Sequence, residues 1–132
     1  MIVVDASALA AFILREEGWE NLAVHLVYSL SLDHVVKEVA NVIWRTAYLR
    51  RLISMDEARM AYNLLRKMVG KNVLLEPELD YLDKALEIAL SWGITVYDAL
   101  YLALALEKNL PILSLDDKQR RVAKNLGLMV KP

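Results

Sequence analysis

The sequence predicts an α/β fold, a single three-layer domain in which one parallel sheet of about five strands carries helices on both faces. Short apolar runs of strand length alternate along the chain with longer stretches whose apolar residues return every three or four positions. Strands separated by helices in this way pair in parallel through right-handed crossovers. The four glycines, Gly18, Gly70, Gly93 and Gly127, each follow a stretch with helical patterning, where a left-handed C-terminal cap is favoured. No repeat, linker or low-complexity segment divides the chain, so residues 1–132 form one domain.

The first element is the apolar run Ile2 to Val4, a buried strand that ends abruptly in Asp5. A first helix is expected from Ala6 to Glu17, and a second from Trp19 to Ser29 with Leu22, Ala23, Leu26 and Val27 on one face. A short strand, Leu30 to Leu32, leads to Asp33, placed to cap a third helix from Val35 to Arg51 whose inner set is Val36, Val39, Ala40, Ile43 and Ala47. Ser54-Met55-Asp56-Glu57 is a capping box that opens a fourth helix ending before Gly70. Asn72 to Leu75 is the third strand. The fifth helix runs from Leu79 to Trp92, with Leu82, Ala85, Leu86 and Ala89 inward. The sixth, Val96 to Lys108, carries no charge between Asp98 and Glu107 and is apolar nearly all round, so it must be buried on most sides. Pro111 to Leu115, a last helix from Asp117 to Leu126, and a strand from Leu128 to Val130 complete the chain.

Composition narrows the function. Hydrophobic residues make up 57% of the chain, above the usual range, which favours self-association or a partner protein. The absence of cysteine removes disulfides, zinc–thiolate sites and thiol nucleophiles. No apolar run reaches the roughly 20 residues of a membrane span, and no basic leader precedes the first strand, so a cytoplasmic protein without a membrane is expected. The net charge of −1 argues against binding nucleic acid by bulk electrostatics, and Arg50-Arg51, Arg66-Lys67 and Lys118 to Arg121 are read as solvated helix faces. His25 and His34 lie outside any motif and are read as solvated.

Four carboxylates fall where elements change over: Asp5 after the first strand, Glu38 in the first turn or so of the third helix, Asp98 at the start of the buried helix, and Asp116 after the fourth strand. Each alone is read most simply as a helix cap or a partner of a helix N-terminus. Together they share one edge of a parallel sheet, the edge where ligands bind. Converging carboxylates raise one another's pKa, and a hard divalent cation such as Mg²⁺ or Mn²⁺ removes that penalty through oxygen ligands. Glu38, Asn41 and Arg45 share a face of the third helix by their spacing.

Taken with Val4-Asp5-Ala6-Ser7, Glu38-Val39-Ala40-Asn41, the string Tyr97-Asp98-Ala99-Leu100-Tyr101-Leu102-Ala103-Leu104-Ala105 and Ser114-Leu115-Asp116, the whole chain resembles a PIN domain, most of all the VapC-type toxins of toxin–antitoxin pairs. The resemblance implies a sheet in the order 3-2-1-4-5 and a Mg²⁺- or Mn²⁺-dependent endoribonuclease that leaves a 5′-phosphate and a 3′-hydroxyl. It carries the family's acidic quartet onto Asp5, Glu38, Asp98 and Asp116, with Ser7 and Ser114 supporting them. Ser114 departs mildly from the threonine common there. Asp117 is either a further ligand or the cap of the last helix. Arg45 is the favoured substrate-rim residue, ahead of Arg15, Lys118 and Arg121. The resemblance also implies an RNA substrate, a homodimer and a small cognate antitoxin. Two other functions remain open: an RNA-processing nuclease without toxicity, and a non-catalytic module using Trp44, Tyr48, Tyr62 and Trp92 as a partner surface. For Trp44 and Trp92, core packing is preferred. A phospho-accepting receiver is set aside, because Asp5 is single where that class needs an acidic pair.

Overall fold

The computed structural model describes all 132 residues, Met1–Pro132. Five strands, β1 (Ile2–Val4), β2 (Ser29–Leu32), β3 (Val73–Glu76), β4 (Ile112–Leu113) and β5 (Val130–Lys131), form one sheet in the order β3-β2-β1-β4-β5. Every pairing is parallel, with Ile2 opposite Ser29 and Val3 opposite Ile112. The order reverses between β1 and β4. With right-handed crossovers, the connections from β1 to β3 cover one face, and those from β3 to β5 cover the other. The reversal leaves a crevice at the carboxyl ends of β1 and β4.

On the first face lie α1 (Ala6–Ile13), α2 (Glu20–Leu26), α3 (Val35–Trp44) and α4 (Met55–Met68), with α1 packed on α2, α3 and α4. On the second lie α5 (Leu82–Trp92), α6 (Val96–Lys108) and α7 (Asp117–Asn125). α6 contacts β1, β2 and β4 beneath it and α5 beside it, and every residue from Ala99 to Ala105 is buried. That double contact is why it is apolar nearly all round. No single helix is long and apolar enough to cross a membrane. The core is one cluster of 35 buried apolar residues, with Val3 and Val4 fully enclosed at its centre.

Several expected boundaries move. The first helix ends at Ile13, a turn earlier than expected, because Arg15 takes the left-handed position (φ 52°) and Glu16 N–H closes back on Ala11 O at 2.9 Å. The second helix stops at Leu26, since Ser29 joins β2 between Ile2 and Val73; Val27 and Tyr28 are exposed. Asp33 does not cap α3: its Oδ1 accepts from Glu78 N–H at 3.1 Å and holds the short 3₁₀ turn Glu78–Asp80. α3 gives way at Arg45 to a π-helical turn, Arg45–Leu49, so its final stretch is wider than expected. Leu86 points outward, and Ile88 takes its place in the core. Trp44 and Trp92 are both exposed rather than packed in the core. The fourth helix, by contrast, opens on the expected reciprocal box between Ser54 and Glu57, and Gly93 (φ 67°) is the left-handed cap that ends α5.

Candidate acidic active site

The site is built where β1, β4, α3, α6 and α7 meet at the carboxyl edge of the sheet. Asp5 closes β1, its N–H still donating to Leu113 O of β4 at 3.1 Å. Its Oδ1 accepts from Ala8 N–H at 3.1 Å and from the Ser7 hydroxyl at 2.6 Å, so Asp5 caps α1 while lying only 3% exposed in the crevice. Burial pushes its pKa up to about 6, and the neighbouring Ser114 and Ser7 hydroxyls and the Ala8 amide offset only part of that cost.

β4 delivers the opposite wall. The Ser7 and Ser114 oxygens lie 3.4 Å apart, Leu115 N–H donates to Ser7 Oγ at 3.0 Å, and Asp116 N–H donates to Ser114 Oγ at 3.2 Å. The two serines therefore join the end of β1 to the turn after β4. Asp116 caps α7, its Oδ1 accepting from Gln119 N–H at 2.7 Å. Asp117 is the first residue of that helix, exposed and outside the network, so it is not the cap. The buried Gln119 side chain donates through Nε2 to Asp98 O at 2.8 Å and ties the starts of α6 and α7 together.

At the start of α6 the capping atom is Thr95 Oγ1, which accepts from Asp98 N–H at 3.2 Å. Burial, then the charges of Asp116 and Glu38, raise the pKa of the Asp98 carboxyl, and contact with the Thr95 hydroxyl offsets only part of that. Glu38 behaves in the opposite way. Burial works against its ionisation, but contacts from His34 and Tyr101 and the charge on His34 outweigh it, so its pKa falls below the ordinary value. The Tyr101 hydroxyl donates to Glu38 Oε1 at 2.6 Å, and His34 Nε2 lies 2.9 Å from the same oxygen, too poorly aligned for a full hydrogen bond.

The structure thus gathers Asp5, Glu38, Asp98, Asp116, Ser7 and Ser114 at one edge. Asn41 and Arg45 are exposed and make no bond to the cluster. Seven residues separate Arg45 from Glu38, about 10 Å along the helix. Lys118 reaches back to Gly93 O at 2.9 Å, beside the start of α6, and Arg121 is exposed on α7. Arg15 lies past the far end of α1 and stacks over the Trp19 ring at 5.1 Å, which removes it from the rim.

No Lys or Arg pairs with any of the four carboxylates; the lysine ion pairs of the molecule lie elsewhere, between Lys84 and Glu87 and between Lys108 and Glu76. Nor do three of the acids close into a cage. Oxygen donors suit a hard cation such as Mg²⁺, which keeps several waters and takes only one or two carboxylates. On donor chemistry the residues fit that group.

The PIN domain family model matches residues 2–125. The chain is a PIN domain. It is 38% identical over 136 aligned positions to ribonuclease VapC3 of Pyrobaculum aerophilum, covering 99% of this chain and 98% of that one. It is 31% identical over 129 positions to exonuclease VapC9 of the same organism, covering 95% and 86%. The solved structure of VapC20 from Mycobacterium tuberculosis, described as a sarcin–ricin loop cleaving toxin, superposes with a TM-score of 0.72 over the full length of both chains at 19% identity, a likeness of fold.

Three residues of this PIN domain's site escape a reading by motif. Far from being solvated, His34 is buried, lying 4.8 Å from the Tyr101 ring. Its signal was the spacing of four residues to Glu38. Tyr101 was legible as the one hydroxyl in an otherwise apolar stretch, three residues and so one turn beyond Asp98. Gln119 left a weaker mark, an uncharged polar side chain amid the charged residues of α7.

Proposed function

We propose that this PIN domain is a divalent-metal-dependent ribonuclease and the toxin member of a toxin–antitoxin pair. One observation carries the reading: four carboxylates converge with no Lys or Arg to offset them, and one of them is buried. A structural cluster would be neutralised by basic side chains, whereas this one is arranged for a cation from outside. The names of the two Pyrobaculum aerophilum relatives support hydrolysis of nucleic acid.

Asp5, Asp98 and Asp116 are the residues to hold Mg²⁺ or Mn²⁺, with Glu38 binding directly or through water. When bound, the cation offsets charge on the phosphoryl oxygens and supplies an activated water. Ser7 and Ser114 orient Asp5, and the α7 cap fixes Asp116. Water adds to phosphorus and the bond to the 3′-oxygen breaks, leaving a 5′-phosphate and a 3′-hydroxyl. Cleavage within the chain, rather than from its end, is what the resemblance to VapC-type toxins implies. Because the cluster repels RNA, basic residues must hold the strand; Lys118 is positioned beside the site, and Arg45 and Arg121 lie farther out. A homodimer and a small antitoxin covering the acidic crevice complete the reading, in a cytoplasmic setting.

The test is cleavage of an end-labelled RNA with Mg²⁺ or Mn²⁺, comparing wild type with Asp98→Asn. The variant should lose at least about 100-fold of the rate, roughly 2.7 kcal/mol of barrier, while keeping its circular dichroism spectrum. Equal cleavage by both proteins removes the mechanism.

A further inference from the structure

Glu38 differs from the other three acids in one respect. Its carboxylate is held by two aromatic side chains that no capping or helical requirement explains. Tyr101 comes from the middle of α6, on the opposite face of the sheet from α3, and its ring is fully buried, yet its hydroxyl emerges 2.6 Å from Glu38 Oε1. His34 approaches the same oxygen at 2.9 Å from the residue before α3 and packs against the Tyr101 ring, with centroids 4.8 Å apart. Both contacts fall on Oε1, and no protein group donates to Oε2. His34 is itself only 3% exposed, and its Nδ1 has no partner, so its position is set by this packing and not by a hydrogen bond on its far side.

From this geometry we infer that Tyr101 and His34 are positioning residues for Glu38, a buried clamp that fixes one carboxylate oxygen and leaves Oε2 as the arm offered to the acidic crevice. The inference rests on the proposed metal-dependent reading and names which residues set the fourth carboxylate's share in it. A Glu side chain on an exposed helix face loses rotamer freedom when it takes a ligand. Here that freedom is already gone, and the pinned oxygen is held by a neutral hydroxyl donor that does not add charge. Partners that orient a ligating side chain in this way carry effects of about 10–100-fold on metal affinity or activity when removed.

The decisive experiment is Mn²⁺ titration by calorimetry, with cleavage of labelled RNA as a second readout. It uses wild type, Tyr101→Phe, His34→Phe, Glu38→Gln and the double variant Tyr101→Phe/Glu38→Gln, with Asp98→Asn as control. Tyr101→Phe keeps the ring in the core and removes only the hydroxyl, and His34→Phe keeps the stacked ring and removes the contact to Glu38. The inference expects each single variant to raise the Mn²⁺ concentration for half-saturation by about 10-fold or more. It also expects the double variant to bind no more weakly than Glu38→Gln alone, because the hydroxyl acts only through that carboxylate. If Tyr101→Phe and His34→Phe both bind Mn²⁺ as wild type does, or if the double variant loses affinity additively, the clamp is overturned while the metal site stands. If wild type and Asp98→Asn bind Mn²⁺ equally, the metal-dependent reading itself falls.

Discussion

At the scale of single residues, the conflict at Asp5 is the most informative. The side chain caps α1 and is buried beside Asp98, and its pKa is pushed up to about 6 from an ordinary 3.8. Between those values the folded protein binds a proton that the unfolded chain has released, so stability falls as pH rises through this window and the loss is complete above about pH 6. A shift of that size costs on the order of 3 kcal/mol at neutral pH. Asp5→Asn keeps an oxygen for the Ala8 amide and the Ser7 hydroxyl but cannot ionise. Without added metal, Asp5→Asn should therefore melt higher than wild type at pH 8, and the difference should vanish near pH 4. With Mn²⁺ present at pH 8 the order should reverse: wild type gains about 4.1 kcal/mol at a thousandfold excess over its dissociation constant, and the variant gains nothing. Differential scanning calorimetry at the two pH values, with and without Mn²⁺, checks all four cases. A variant that tracks wild type throughout would mean that Asp5 is a cap alone.

At the scale of elements, the cap of each helix separates stability from chemistry. Ser54 caps α4 far from the acidic edge, and Thr95 caps α6 at that edge. Replacing either by Ala removes one side-chain acceptor and should cost about 1 kcal/mol, a few degrees in melting temperature. Only Thr95→Ala should also slow RNA cleavage, since the Asp98 amide it holds carries an acid of the site; equal rates for both variants would show that the start of α6 needs no such anchoring. Caps of this kind were legible because they depend on residues three apart in one segment, as in Ser54-Met55-Asp56-Glu57. The strand order agrees with what the resemblance to a PIN domain implies, and Asp5, Glu38, Asp98 and Asp116 meet at the strand-end edge expected of a parallel sheet. What local pattern could not reveal was decided across the fold. Asp33 looked like a cap for the helix after it, but the nearest unpaired amide came from Glu78. The outward turn of Leu86 depends on where α6 lies, and the burial of His34 on a tyrosine 67 residues away. Arg15 carried no glycine to announce the left-handed turn that ends α1.

At the scale of the whole molecule, the reversal of strand order between β1 and β4 puts the acids at one edge, and the chain's apolar surplus lies elsewhere. The core encloses α6 and the sheet, yet Trp44, Tyr48, Leu49, Leu52 and Met55 remain exposed between the end of α3 and the start of α4. Trp44 and Tyr48 stack at 5.6 Å with their planes within 15°, shielding each other rather than entering the core. None of the residues of the π-helical turn Arg45–Leu49 is buried. Contiguous apolar surface of this kind marks a protein interface. A homodimer formed there would need about 800 Å² from each partner, within reach of a patch of large side chains. Light scattering on wild type at high micromolar concentration should report a dimer. Trp44→Ser/Tyr48→Ser should report a monomer with unchanged helical content, because neither ring contributes to the core. A monomeric wild type would end the dimer proposal, and a variant that stays dimeric would move the interface to another face, with the exposed Leu86 and Leu90 on α5 as the next surface to change.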